Sequence, residues 1–236
     1  MKNKKIIKYA GFIIGGLAVC AILLGVLNGL VGKGEWNLGW TNYRYDDSAY
    51  HKGQGTIPAP ALEKIEVDWI DGNVTVVLCQ DAYVSVSESA PADLSEKTQL
   101  HWFVSEDGKT LSIKYRGSSS FFGTTKDKNK DLILRIPEKL IGQLQTLSIN
   151  TVSSNVTIAN VSVQNTEIQT KSGNVKFELD SNDSFILVHK TKSGGAPTID
   201  FPAVKAGNTY ISGTDGIRIT INTNSGKVAI LPISDN

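Results

Sequence analysis

Cysteine is nearly absent from this chain: there are two in 236 residues, and Cys20 lies inside a long apolar run near the N-terminus. The rest of the chain holds only Cys79, so no internal disulfide can staple it and stability must come from burial. Within NVTVVLC, Cys79 is expected as a small hydrophobe on a buried strand. Histidine is equally scarce. His51, His101 and His189 show no metal-ligand spacing, and no Cys-x-x-Cys offers zinc thiolates. An excess of either charge is missing too, with 24 Lys and Arg against 23 Asp and Glu. Five of the basic residues and one acidic residue fall in the first 35 positions, leaving residues 36–236 with 19 basic against 22 acidic side chains, a net of −3. A mildly acidic chain of this kind lacks the concentrated basic face that nucleic acid requires, so nucleic acid is excluded as a partner.

The motifs of catalysis are also wanting. Lys-Ser-Gly occurs at residues 171–173 and 192–194, but the S-x-x-K nucleophile that would make it catalytic does not occur. Gly108-Lys109-Thr110 lacks the upstream glycine of a phosphate loop and reads as a hairpin turn. Asp71, Asp107 and Asp215 sit beside glycine, yet the calcium-binding nonapeptide is absent and lone turn aspartates cap their own backbone. His189 occupies a place where sibling segments hold isoleucine, so it is a core or strand-edge substitution rather than a base. Sequons at Asn73, Asn155 and Asn160 reflect the Thr and Val content of strands as readily as glycosylation. No catalytic, cofactor or metal residue is therefore assigned, the ligand-binding residues stay unassigned, and the chain is expected not to be an enzyme.

What the sequence does contain begins with residues 9–31, YAGFIIGGLAVCAILLGVLNGLV, an uncharged run that as a helix spans roughly 34 Å at about 1.5 Å per residue, the thickness of a bilayer core. Four lysines precede it and only Lys33 follows closely, which orients the N-terminus to the cytoplasm and the remainder outside. A cleaved or lipidated signal is the rival reading, with LAVC at residues 17–20 resembling a lipoprotein box. The run is long for a signal peptide, and LNGLVGKGEW offers no small-x-small site. The expected organisation is a basic cytoplasmic segment (1–8), a single-pass anchor in the cell membrane (9–31), a Gly- and aromatic-rich juxtamembrane tether (32–60) and an extracytoplasmic β-domain (61–236). In the tether, Trp36, Trp40, Tyr43 and Tyr45 either sit among lipid headgroups or pack on the β-domain.

From residue 62 onward apolar residues alternate: Ile65, Val67, Trp69; Val74, Val76, Leu78; Leu111, Ile113, Tyr115; Leu132, Leu134, Ile136. These are half-buried strands punctuated by Asp-Gly turns. An internal repeat then emerges. Residues 149–156 (INTVSSNV), 168–175 (IQTKSGNV) and 221–228 (INTNSGKV) fit I-x-T-x-S-[SG]-[NK]-V; 67–74 (VDWIDGNV) is a looser copy, and 189–196 (HKTKSGGA) and 210–217 (YISGTDGI) are degenerate ones. An inward Ile ends one strand, a corner turns the chain, and an inward Val opens the next; glycine or asparagine is expected at the corner because positive φ costs them least. Units of about 20 residues bury too little alone and must stack, which predicts an all-β solenoid or β-roll, with a β-sandwich as the alternative. The short final spacing predicts a closing hairpin of residues 217–221 with 228–231.

Together with LHWFVSEDGKTLSIKY (100–115) and KDLILRIP (130–137), these corners resemble the bacterial putative-adhesin β-strand-repeat family from residue 62 to the C-terminus. The resemblance implies a membrane-anchored or secreted surface role and supplies no catalytic residues or cofactors. Two functions follow. One is a non-catalytic, adhesin-like binding module for a cell-wall polymer or host surface, offering Thr151, Thr170, Lys171, Thr191 and Lys192 from its faces. The other is an accessory or sensor of envelope stress acting through membrane-protein partners.

Overall fold

The computed structural model describes residues 43–58, 60–118 and 129–233. Within them the regular elements are strands, apart from a short 3-10 turn at Glu138–Leu140. In β3 (Lys64–Trp69), Ile65, Val67 and Trp69 are buried while Lys64, Glu66 and Asp68 face outward, the period of two that the alternation demands. The chain bends after Trp69 and continues as β4 (Asn73–Cys79) in a second, facing sheet. One strand in each sheet plus the corner between them makes a coil. The construction recurs as β9 (Thr146–Thr151) with β10 (Asn155–Ala159), β11 (Asn165–Thr170) with β12 (Val175–Leu179), β17 (Ile217–Thr223) with β18 (Val228–Pro232), and β13 (Phe185–Thr191) with β14 (Thr198–Ile199).

Coils stack with parallel strands in exact repeat register. Val67, Ile149, Ile168, Ile221 and His189 stand side by side in the first sheet. Val74, Val156, Val175 and Val228 do the same in the second. These eight aliphatic side chains are at most 3% exposed and form the spine of the core. The fold is all-β and solenoid-like: the two strands of each coil lie in different sheets and pair in parallel with those of the neighbouring coil.

Two expectations are corrected. The stacking order is not the chain order, because β17–β18 slots between β11–β12 and β13–β14. β17 and β18 lie in different sheets, so the expected closing hairpin does not exist; the last repeat is a full coil. Residues 210–217 are not a corner either. They connect β16 (Thr209–Ser212), antiparallel to β13 on one side, to β17, parallel to β13 on the other, all in one sheet. Gly213 and Asp215 turn the chain there with φ of 71° and 55°.

Antiparallel strands cap both ends of the first sheet and one end of the second, whose other edge is the short parallel strand β14. In the first sheet these are β1 (His51–Lys52) and β6 (His101–Val104) beside β7 (Thr110–Lys114) at one end, and β16 with β15 (Val204–Ala206) at the other. In the second sheet, β5 (Val84–Ser89) and β2 (Gly55–Ile57) flank β8 (Asp131–Pro137). Through β1 and β2, the second half of the expected tether belongs to the domain. Tyr43 and Tyr45 pack on it rather than standing free: the Tyr43 hydroxyl accepts from Tyr115 N at 3.0 Å, and the Tyr45 hydroxyl lies 2.7 Å from Arg116 O. Burial raises the pKa of both phenols, so they remain protonated donors. Residues 9–31, Trp36 and Trp40 lie outside the described residues, among which no helix is long and apolar enough to cross a membrane.

Candidate functional site

The corners line up into one edge of the solenoid, and each repeat position becomes a row. Asparagine forms the first row. Asn73 Nδ2 donates to Asp131 Oδ1 at 2.8 Å, Asn155 Nδ2 to Asn73 Oδ1 at 3.2 Å, Asn174 N to Asn155 Oδ1 at 3.1 Å, and Lys227 N to Asn174 Oδ1 at 3.0 Å. Serine forms the second, with the Ser153, Ser172 and Ser225 hydroxyls each donating to a carbonyl of the neighbouring coil, at Ile70, Val152 and Lys171. Threonine forms the third. Thr170, buried, and Thr191, exposed, accept from Gly173 N and Gly194 N at 3.0 and 2.7 Å, closing their own corners.

The glycine row has a cause other than the one expected. Gly173, Gly194 and Gly226 are absent from the positive-φ positions; of the corner glycines at this repeat position only Gly72 (φ 97°) adopts one. What they share is close stacking. A Cβ on Gly173 would lie 1.7 Å from Ser154 O, on Gly226 2.0 Å from Gly173 O, and on Gly194 2.3 Å from Gly226 O. At these three positions glycine is required because backbone lies on backbone, while the 149–156 corner holds Ser154 at the same repeat position.

The edge is polarised along the stack. The corner at residues 67–74 carries Asp68 and Asp71, and that at 149–156 carries no charge. Those at 168–175, 221–228 and 189–196 carry Lys171, Lys227, Lys190 and Lys192, all exposed, and no carboxylate. The two aspartates are already engaged. Asp68 is ion-paired with Lys114 and accepts from Asn150, while Asp71 accepts from Gly72 N and the Ser153 hydroxyl.

A family model, Toastrack DUF4097, matches residues 62–233, running from the start of β3's lead-in through the last coil. The chain belongs to the Toastrack DUF4097 family. Among solved structures it is similar to one described as a putative cell adhesion protein from Clostridium sporogenes, with 12% identity, a TM-score of 0.58, and coverage of 78% of this chain and 100% of that one. At that identity the likeness concerns the fold. No curated protein matches the chain.

The residues singled out in the sequence fare unequally. Thr151 and Thr170 are buried and do not belong to an outward face, whereas Lys171, Thr191 and Lys192 are exposed. Both Lys-Ser-Gly strings are corners, and Gly108 sits in the β6–β7 hairpin. Asp107 accepts from Ser105 Oγ and Lys109 N, capping its own turn. Cys79 ends β4 half-exposed rather than buried. His51 stacks on Trp102 with ring centroids 4.2 Å apart, and His101 lies between the Tyr45 hydroxyl and Glu96 O, each at 3.1 Å. His189 is buried in the isoleucine row, its Nε2 without a partner. Sequence reasoning missed Lys130, which is 0% exposed and ion-paired with Glu88 at 2.6 Å. Its place beside a turn-rich loop gave no periodic signal of burial.

Proposed function

We propose that this Toastrack protein is a single-pass cell-membrane protein, held by residues 9–31 with its N-terminus in the cytoplasm, that presents the solenoid outside the cytoplasm as a non-catalytic, adhesin-like binding module for a cell-envelope polymer. The observation that carries this is the corner edge. Side chains there are set by a backbone ladder at about 4.8 Å per coil, a rigid comb suited to an extended chain rather than a small molecule. The length and flanking charge of residues 9–31 support the anchor. The name of the C. sporogenes structure supports a surface role.

The test is retention of the full-length protein, in mild detergent, on isolated cell walls and on membrane fractions, with mass spectrometry of what is retained. The expected result is retention on wall material after its proteins are stripped. Recovery of one membrane protein in place of wall material would turn the assignment to an envelope-stress accessory or sensor.

A further inference from the structure

We propose that the corner edge of the last three coils, centred on Lys190, Lys192 and Lys227, binds a linear anionic phosphodiester polymer laid across the coils. The inference rests on the envelope-binding reading and names its ligand class.

Three observations carry it. First, the stacking order places the coils of β11–β12, β17–β18 and β13–β14 consecutively, although the second of these is last in sequence. The insertion brings Lys227 between the corner of Lys171 and the corner of Lys190 and Lys192, so four lysines that are up to 56 positions apart share one edge. Second, these corners contain no carboxylate. The nearest acidic side chain on the same strands is Glu167, on β11 one outward row above Gln169; Asp200 follows β14 beyond its far end. Several lysines elsewhere in the domain stand beside carboxylates on their own or neighbouring strands, as in Lys52–Glu96, Lys64–Glu66, Lys109–Glu63, Lys114–Asp68 and Lys176–Glu178. Third, the backbone beneath the lysines is fixed. Lys227 N is held by Asn174 Oδ1, Lys192 N by Thr223 O at 3.2 Å, and Ser193 N by Asn224 O at 2.8 Å. The charges thus stand on a rigid comb, on flexible stems.

The chemistry of the ligand follows. Lysine ammonium groups are compact point charges that meet phosphate without demanding bidentate geometry. Successive coils step by about 4.8 Å, so Lys171 and Lys192, two coils apart, are separated by roughly 10 Å of ladder. One small anion cannot bridge that distance, whereas a polymer with a charge in every repeat unit can. The lysines spread over the width of the corner on three successive coils, a strip running along the stack, and this favours a chain over a membrane surface.

The experiment uses the full-length protein in nanodiscs of phosphatidylcholine, titrated with poly(glycerol phosphate) at several salt concentrations. The variant K190Q/K192Q/K227Q is compared with the charge-matched control K97Q/K139Q/K205Q, whose lysines lie away from the edge, and thermal melting checks that both remain folded. The expected result is binding by the native protein, a loss of at least about tenfold in the edge variant with a salt-dependence slope shallower by about two, and no loss in the control. Absence of binding by the native protein, unchanged binding by the edge variant, or an equal loss in the control would each overturn the proposal. So would binding to vesicles containing phosphatidylglycerol without binding to the polymer. Retention of the edge variant on isolated walls as fully as the native protein would sink this inference and leave the envelope-binding reading intact; failure of the native protein to be retained would sink both.

Discussion

In the middle of the stack a corner is built from Thr, Ser, Gly and Asn, while at the first end the same backbone corner is built around two aromatic rings and a buried lysine. Trp69 occupies the threonine position, beside Thr151 in register. Its Nε1 donates to Lys130 O at 2.8 Å. The Lys130 ammonium reaches Glu88 Oε2, Thr98 O and Tyr115 O, so all three of its protons find acceptors, and it lies 4.4 Å from the Tyr115 ring centroid and 5.2 Å from that of Trp69. Glu88 uses its other oxygen to accept Leu100 N at 2.7 Å. The backbone contact is the same in both places: a Cβ on Gly72 would meet Lys130 O at 2.1 Å, as one on Gly173 would meet Ser154 O. The difference teaches that close backbone stacking is what makes a coil. Side chains fill whatever space remains, small where another regular coil follows and large where the chain leaves the repeat.

The largest effect should come from emptying that first end. Lys130→Met leaves Glu88 buried without its partner and strips a donor from two carbonyls, an expected cost of about 3–5 kcal/mol in urea unfolding. Adding Glu88→Leu should recover a large part of it, because the unpaired charge is the main penalty. A single-variant loss below about 1 kcal/mol would show that the two kinds of corner are not equivalent in weight. Next comes the shared backbone contact. Gly173→Ala must displace the Ser154 carbonyl and is expected to cost about 1–3 kcal/mol, whereas Gly142→Ala, with nothing within 4 Å, should stay within about 0.5 kcal/mol. Similar values for both would mean the stack relaxes freely at its corners.

The regular coils were legible in the sequence because their signal is local. Ile168, Thr170, Ser172, Gly173, Asn174 and Val175 each occupy a place that one unit defines, and identical units stack in register. The order of stacking was not legible. That β17 enters between β11 and β13 is a long-range choice, and the spacing of 11 between residues 210 and 221 reads equally as a hairpin until β16 is seen to fold back on β13. Lys130 was hidden for a related reason: its partners Glu88 and Thr98 come from elements that no repeat connects to it. The basic edge was half legible. Lys171 and Lys192 were named as surface residues, but Lys227 joins them only through the insertion of the last coil.

The asparagine row gives a smaller effect. Asn155→Ala removes the donor to Asn73 Oδ1 and the acceptor of Asn174 N, both exposed, and is expected to cost about 1 kcal/mol by urea unfolding. Asn165→Ala, whose amide reaches Gln145 O at 3.3 Å outside the row, should cost less. If the two cost the same, the row contributes as separate hydrogen bonds rather than as a ladder.

The smallest effect at neutral pH, and the most specific, concerns the one imidazole in the isoleucine row. His189 stands beside Ile221 in register, buried, with Nε2 unpartnered. Burial lowers its pKa in the folded protein, so the folded state disfavours the proton that the unfolded chain accepts at its ordinary pKa of about 6.5. Stability from the neutral ring is therefore fully present above about pH 6.5 and declines as pH falls from there through the lowered folded value. His189→Ile restores the row and removes this titration. The expected outcome is a small gain in melting temperature at pH 7.5 and a larger one at pH 5.5. An equal gain at both values would mean that the ring is reached by water when protonated, and that the last coil of the stack is looser than the coils it caps.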